Sequence, residues 1–327
     1  MKRLVEYLVT AWIIITVNFF LPRMMPGDPL LYLTGEASGD ASVVIDEATR
    51  QELRRYFRLD LPLSRQYGHY LAGIFTGDLG YSIHHRTGVA GLIGRTLPWT
   101  LLLTLTAVAL STLLGAWLGA LAAWRRGGAV DRGLTVVVLA VMAVPAFLLA
   151  LLFQLLFSVK LGLFPVSGAL TVYEAHLGAG ARALDILHHA ALPVAVLTLV
   201  LLPESFLLTR SSMLGVLAAD YVLVARLKGL PERRVIYRHA LRNALLPLMT
   251  QASLRIGLAV GGMIFVETVF SYPGMGELMY RSVTTHDYPV AQGVFLVITV
   301  AVLTINLAID LAYRRIDPRV RDHGQRA

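Results

Sequence analysis

The sequence predicts an all-α polytopic membrane protein with about six transmembrane helices, a cytoplasmic helical element and an extracytoplasmic helical insertion between the first two spans. Three observations carry this. Of 327 residues, 56% are hydrophobic and 15% charged, whereas soluble domains carry about a quarter charged residues. The apolar residues fall in runs of about 20, the bilayer-spanning length at a 1.5 Å rise per residue. Between two such runs, near 219–247, lies an island holding Arg226, Lys228, Arg233, Arg234, Arg238 and Arg242. Each charge costs several kcal/mol at mid-bilayer, so the island belongs in water beside the membrane.

Residues 1–25 hold the first span, over 6–25. Pro22-Arg23-Met24-Met25-Pro26 offers no small-residue cleavage site, so the run reads as a retained span. Residues 26–98 are too long for a plain loop. Leu53, Tyr56 and Phe57 share one face of a helix predicted over 46–58, and 63–75 gives a second amphipathic stretch with Tyr67 and Tyr70. Together they form a small extracytoplasmic helical segment.

The transmembrane core follows over 99–313, with spans near 99–123, 134–159, 190–210, 245–269 and 291–313. Gly115 and Gly119 make a GxxxG pair that permits close helix approach. Pro145 and Pro203 predict kinks in spans three and four. Within the island, 221–229 reads as a short helix closed by Gly229, and Pro231 as the first residue of a second one. Residues 314–327 form a basic tail.

Orientation follows from Lys and Arg. Lys2, Arg3, Arg125, Arg126, Arg132, the island and Arg314 to Arg326 fall on one set of loops. The other set is charge-balanced or nearly free of basic residues. This bias puts both termini and the island in the cytoplasm of a cell membrane. It also accounts for the net charge of +8 without nucleic acid.

Several chemistries are missing from the sequence. There is no cysteine, hence no thiol nucleophile or thiolate metal site. No G-x-x-x-x-G-K-[ST] phosphate loop, G-x-S-x-G elbow or H-E-x-x-H occurs. The chain is expected to be no enzyme and to bind no cofactor or metal. His69, His84, His85, His176, His188, His189 and His286 all map to the outer side, but adjacent pairs such as His84-His85 do not converge on one point, and they read as surface histidines.

Intramembrane polar residues are the remaining candidates. Glu204 and Arg255 lie on sequential spans about 9–13 Å from the cytoplasmic edge by helix rise. Opposite charges at equal depth are expected partners, either as a gate or as a static packing pair. Gln154, Glu267 and Asn306 are candidates for lining a pathway, Glu267 also for a contact near the outer end of span five, and Asn18 and Asp310 for helix–helix hydrogen bonds.

Taken in order, the motifs resemble the membrane permeases of binding-protein-dependent ABC importers of the dipeptide, oligopeptide and nickel type, on the first-permease side of the heterodimer. They are Pro26-Gly-Asp-Pro29, Gly77-Asp-Leu-Gly-Tyr-Ser82, Arg95-Thr-Leu-Pro98, Ala225-Arg-Leu-Lys-Gly-Leu230, Arg238 to Pro247, Val266 to Gly276, Asp287-Tyr-Pro289 and Asp317-Pro-Arg319. The resemblance implies a coupling helix near 219–247 with Tyr221, Ala225, Arg226, Lys228, Gly229, Leu230 and Arg233 as its ATPase-coupling residues. It implies as partners a second homologous permease, two cytoplasmic ATP-binding subunits that hold the ATP and Mg, and an extracytoplasmic solute-binding protein. In the wider class the coupling loop carries E-A-A-x-x-x-G; here Gly229 and Ala225 match, while Leu223 and Val224 replace the glutamate and first alanine. Short peptides are the first substrate class implied, nickel or a nickel chelate the second. A secondary transporter is the rival from another class, but it would need several aligned mid-span acids.

Overall fold

The computed structural model describes residues 2–24, 47–56, 60–82, 84–171, 178–259 and 264–316. The motifs at 26–29 and 317–319, and His176, lie outside them. Among the described residues there is no strand ladder; one isolated bridge joins Tyr81 to Gly88.

Two compact units form. The first contains 1–100 and 273–303, the second 101–272 and 304–327. In the first unit, helix α1 spans Lys2–Phe20, α2 spans Glu47–Tyr56 and α3 spans Leu63–Thr76. The last two coincide with the amphipathic stretches read from the sequence. Helix α4, Val89–Trp124, is 36 residues long and begins ten residues before the expected span, with Pro98 inside it. Its first turns pack Val89 and Ile93 against Met275, Met279, Val290 and Val294. Gly293 permits that approach, since a Cβ there would meet Val89 at 2.5 Å.

In the second unit, α5 (Ala129–Met142) and α6 (Ala146–Phe153) replace the single span expected over 134–159. The two helices, with the π-helical stretch Gln154–Lys160 continuing α6, are bent by 97° at the break. Pro145 does more than kink the chain: it sits at the N-cap of α6 with extended ψ, where its missing N–H costs nothing. Helix α7, Ala179–Leu217, runs 39 residues and takes Pro193 and Pro203 into its interior, both buried. It outruns the 190–210 span at both ends.

The arginine-rich island folds as α8, Asp220–Leu227, then a single turn Glu232–Arg234, a π-helical stretch Val235–Ala240 and α9, Leu241–Ala259. Gly229 adopts φ 71°, the left-handed conformation that ends a helix without a Cβ penalty. Pro231 sits at the N-cap of the following turn, which therefore begins one residue later than the sequence suggests. Helices α10 (Ile264–Val269), α11 (Met275–Thr284) and α12 (Tyr288–Ile316) complete the chain. Helices α4 and α7 are long and apolar enough to cross a membrane, and the bent α5–α6 pair passes the same test as one broken span.

Candidate functional site

Helices α4 and α7 pack closely in the second unit because two glycines allow it. A Cβ on Gly115 would fall 2.5 Å from Ser205 Cβ, and one on Gly119 would fall 2.7 Å from the Phe206 carbonyl oxygen. The GxxxG pair is thus a helix-packing surface, and it sets the position of Ser205 on α7.

One turn of α7 around Ser205 carries a polar cluster that links α7 to α9. Glu204 and Arg255 form a direct ion pair between α7 and α9. Arg255 Nη1 also donates to Ser205 Oγ at 2.9 Å and to the Leu201 carbonyl at 3.1 Å. Gln251, one turn before Arg255, donates to the other oxygen of Glu204. The two charges differ in setting. The Arg255 side chain is 9% exposed, whereas Glu204 is 64% exposed. The guanidinium is therefore a fixed internal cation, and the carboxylate is its outward-facing partner.

A second ion pair lies about two turns along α7. Arg210 donates to Asp131 at 2.7 and 2.9 Å, a bidentate fork, and the Gly127 N–H donates to the same carboxylate at 2.9 Å. These donors hold the Asp131 carboxyl down at about 2, the Arg210 hydrogen bond being the largest cause. This pair was not anticipated. The available signal was an acid, Asp131, among Arg125, Arg126 and Arg132.

The elbow built from α8 continues from there. Val222, Ala225 and Val235 are buried together, with Leu230 packed on them. Ala225 and Leu230, two of the residues implied to couple to the ATPase, contribute to this small core, Ala225 buried and Leu230 half-buried. Tyr221, Arg226, Lys228, Gly229 and Arg233 are exposed, and so are Leu223 and Val224, which stand where the class pattern has glutamate and alanine, and Leu227. The elbow is braced by Arg226 to Glu232 at 2.8 Å and by Asn243 donating to the Tyr221 hydroxyl at 2.8 Å.

The remaining candidates separate. Gln154 donates to the carbonyls of Val166 and Val269 at 2.9 and 3.0 Å, so its amide ties the loop at Val166 and the end of α10 to the π-helical stretch that continues α6. Glu267 is fully buried, on the covered face of α10 opposite the exposed Phe265, so it is not an exposed helix-end residue. Burial and then the charge of Glu267 push the Tyr272 phenol up. Asn306 is half-buried on α12, and the side chain of Asp310 lies outside the described residues. Asn18 donates to the Tyr70 hydroxyl and the Gln292 carbonyl, both at 3.0 Å, as a helix–helix tie. Among the described residues no three histidine, aspartate or glutamate side chains converge as metal ligands.

Comparison with known proteins agrees with this architecture. The profile of the family described as "Binding-protein-dependent transport system inner membrane component" matches residues 115–322. A Brucella suis protein named as a peptide permease is 40% identical over 304 residues, covering 93% of this chain and 92% of that one. The di/tripeptide transport system permease DppB of Pseudomonas aeruginosa is 35% identical over 333 residues, covering 98% and 97%. The glutathione transport system permease GsiC of Escherichia coli is 36% identical over 320 residues, with the same coverage. Among solved structures, a chain of the inward-facing MetNI methionine ABC transporter shares the fold, with a TM-score of 0.53, 18% identity, and coverage of 69% of this chain and 96% of that one.

Proposed function

The chain belongs to the family of binding-protein-dependent transport system inner membrane components, and from that premise we propose that it is the permease subunit of an ATP-driven importer of short peptides. The observation that carries the mechanism is the elbow at α8. A helix of eight residues is rigid here because Val222, Ala225 and Val235 give it a core, and an ion pair and a hydrogen bond brace its two arms. It presents Leu223, Val224 and Leu227 with Arg226 and Lys228 around them. An apolar face on a basic element fits a cleft on a cytoplasmic ATP-binding subunit. Lipid headgroups alone would be met by the charges without the apolar residues.

Force delivered to α8 passes into α7 and α9, the two helices that flank it. Those helices carry Glu204 and Arg255. A motion that slides one against the other stretches or re-forms that pair, and rigid-body shifts of packed helices act in this way. The exposed carboxylate of Glu204 is too costly to face lipid, so it lines an aqueous path or a partner surface. The positive-inside bias supports an orientation with the elbow and both termini in the cytoplasm. The second permease, two ATP-binding subunits and a solute-binding protein complete the importer.

The test is reconstitution. Proteoliposomes holding the chain with its neighbouring permease and ATP-binding subunits should accumulate a labelled di- or tripeptide only when ATP and the binding protein are both supplied. Accumulation by this chain alone, driven by an ion gradient, would overturn the reading.

A further inference from the structure

Within the first compact unit a cavity of about 170 Å³ lies between the end of α1, one face of α3, the turn at 78–80 and the first turns of α12. Its wall includes Arg23, His69 and Asp78. The Arg23 guanidinium is held in place: Nε and Nη2 donate to Gln66 Oε1 at 3.2 and 3.0 Å, and Nη1 donates to the Phe19 carbonyl at 2.8 Å. It also lies over the Phe19 ring, 3.7 Å from the centroid. All these partners are neutral, and among the described residues no carboxylate pairs with it. A guanidinium has five N–H donors, so two remain. Asp78 accepts from the Gly80 N–H through Oδ1 at 3.0 Å and likewise has no cation beside it. One cavity thus holds a fixed cation and an anion that do not neutralise each other.

Its depth identifies the occupant. The apolar stretch of α1, Val9–Phe20, ends just before Arg23, and that of α12, Tyr288–Thr304, begins at the cavity wall. The cavity therefore sits where hydrocarbon gives way to headgroups. Helix α3 has no buried residue: Tyr67 and Tyr70 pack on Phe19, while Phe75 is 88% exposed and Leu63 is exposed too. Met24, beside Arg23, is 82% exposed. Such a helix lies in the membrane interface. A polar cavity with two opposite charges unpaired among the described residues, in a unit that also exposes Met24, Leu63 and Phe75, suits a ligand with a zwitterionic head and hydrocarbon tails.

We propose that this cavity binds the headgroup of a zwitterionic phospholipid, its phosphate on Arg23 with His69 alongside and its ammonium on Asp78. Arginine meets phosphate through a planar fork, which gives geometry as well as charge. Asp78 disfavours a headgroup that carries only negative charge. In the orientation proposed above, the lipid belongs to the extracytoplasmic leaflet, but the recognition does not depend on that assignment.

Native mass spectrometry and thermal unfolding of the full chain, assembled with its partner subunits in detergent, test this. Added phosphatidylethanolamine should be retained and should raise the melting temperature at roughly tenfold lower concentration than phosphatidylglycerol, the size of one charge-assisted contact. Diacylglycerol should do neither. Asp78→Asn keeps the Oδ1 acceptor for Gly80, so its fold is preserved, and it should erase the preference between the two lipids; Arg23→Gln should weaken both. The proposal fails if Asp78→Asn keeps the full preference, or if diacylglycerol stabilises as well as the phospholipids. It also fails if free phosphoethanolamine or a dipeptide occupies the site as tightly as the lipid, which would mark it as a soluble-ligand site.

Discussion

Glu204 and Arg255, 51 residues apart in sequence, are joined across α7 and α9 by an ion pair with one hidden and one open end. The arginine is enclosed and makes two further hydrogen bonds; the glutamate looks outward and takes a second donor from Gln251. The asymmetry predicts unequal mutants. Arg255→Ala strips the Leu201 carbonyl and the Ser205 hydroxyl of a donor and should cost about 2–4 kcal/mol of stability. Glu204→Gln should cost less than about 1 kcal/mol, since its end is exposed, yet should still lower peptide uptake. A Glu204→Arg, Arg255→Glu double variant should recover uptake above either single change. A swap as inactive as the single variants would sink the pairing role.

The elbow separates docking from folding. Leu223→Ser with Leu227→Ser should leave thermal unfolding of the chain within about 0.5 kcal/mol of the parent, as exposed substitutions do. The same change should uncouple ATP hydrolysis from peptide uptake in proteoliposomes. Ala225→Leu should do the reverse first, overpacking the small core with Val222 and Val235 and destabilising by about 1–3 kcal/mol. Loss of coupling without loss of stability in the first variant is the deciding result.

Glycine spacing gives a contrast inside one helix. Gly115→Ala puts a Cβ where Ser205 already stands, 2.5 Å away, and should destabilise by about 1–3 kcal/mol. Gly94, also in α4, has nothing within 4 Å of its would-be Cβ. Gly94→Ala should be neutral or stabilising by up to about 1 kcal/mol, since alanine favours a helix. Equal effects at both sites would refute close packing of α4 on α7.

Asp131 makes stability depend on pH in a definite direction. Its carboxyl is lowered from an ordinary 3.8 to about 2 by the Arg210 fork and the Gly127 N–H. A lowered group contributes fully above the unfolded value and loses that contribution as pH falls through the folded one. Melting temperature should therefore drop between pH about 4 and 2, and Asp131→Asn should flatten that part of the profile while lowering stability at pH 7. An unchanged acid limb in the variant would refute the assignment.

The sequence legibly marked what depends on local composition and spacing. Apolar runs announce spans because hydrocarbon tolerates no unpaired backbone and few charges. The island at 219–247 had to leave the membrane for the same reason, and Gly229 ends α8 because only glycine takes φ 71° without strain. Glu204 and Arg255 could be paired from depth alone, since rise per residue converts sequence into position along the membrane normal. Motif order carried the family.

Tertiary structure decided what depends on rotation about helix axes and on neighbours far along the chain. Depth says nothing about which side of a helix is covered, so the burial of Glu267, the inward turn of Ala225 and Leu230, and the exposure of Leu223, Val224 and Leu227 emerged only with packing. The 97° break at 143–145 needed the geometry of α5 and α6, because a proline in an apolar run reads the same whether it kinks a span or starts a new one. The meeting of Asp131 with Arg210, 79 residues away, and of Arg23 and Asp78 around one cavity likewise required the folded chain. Sequence by itself determined that this protein lives in a membrane and which charges must find partners there; only the fold determined which partners they found and which side chains remained open to others.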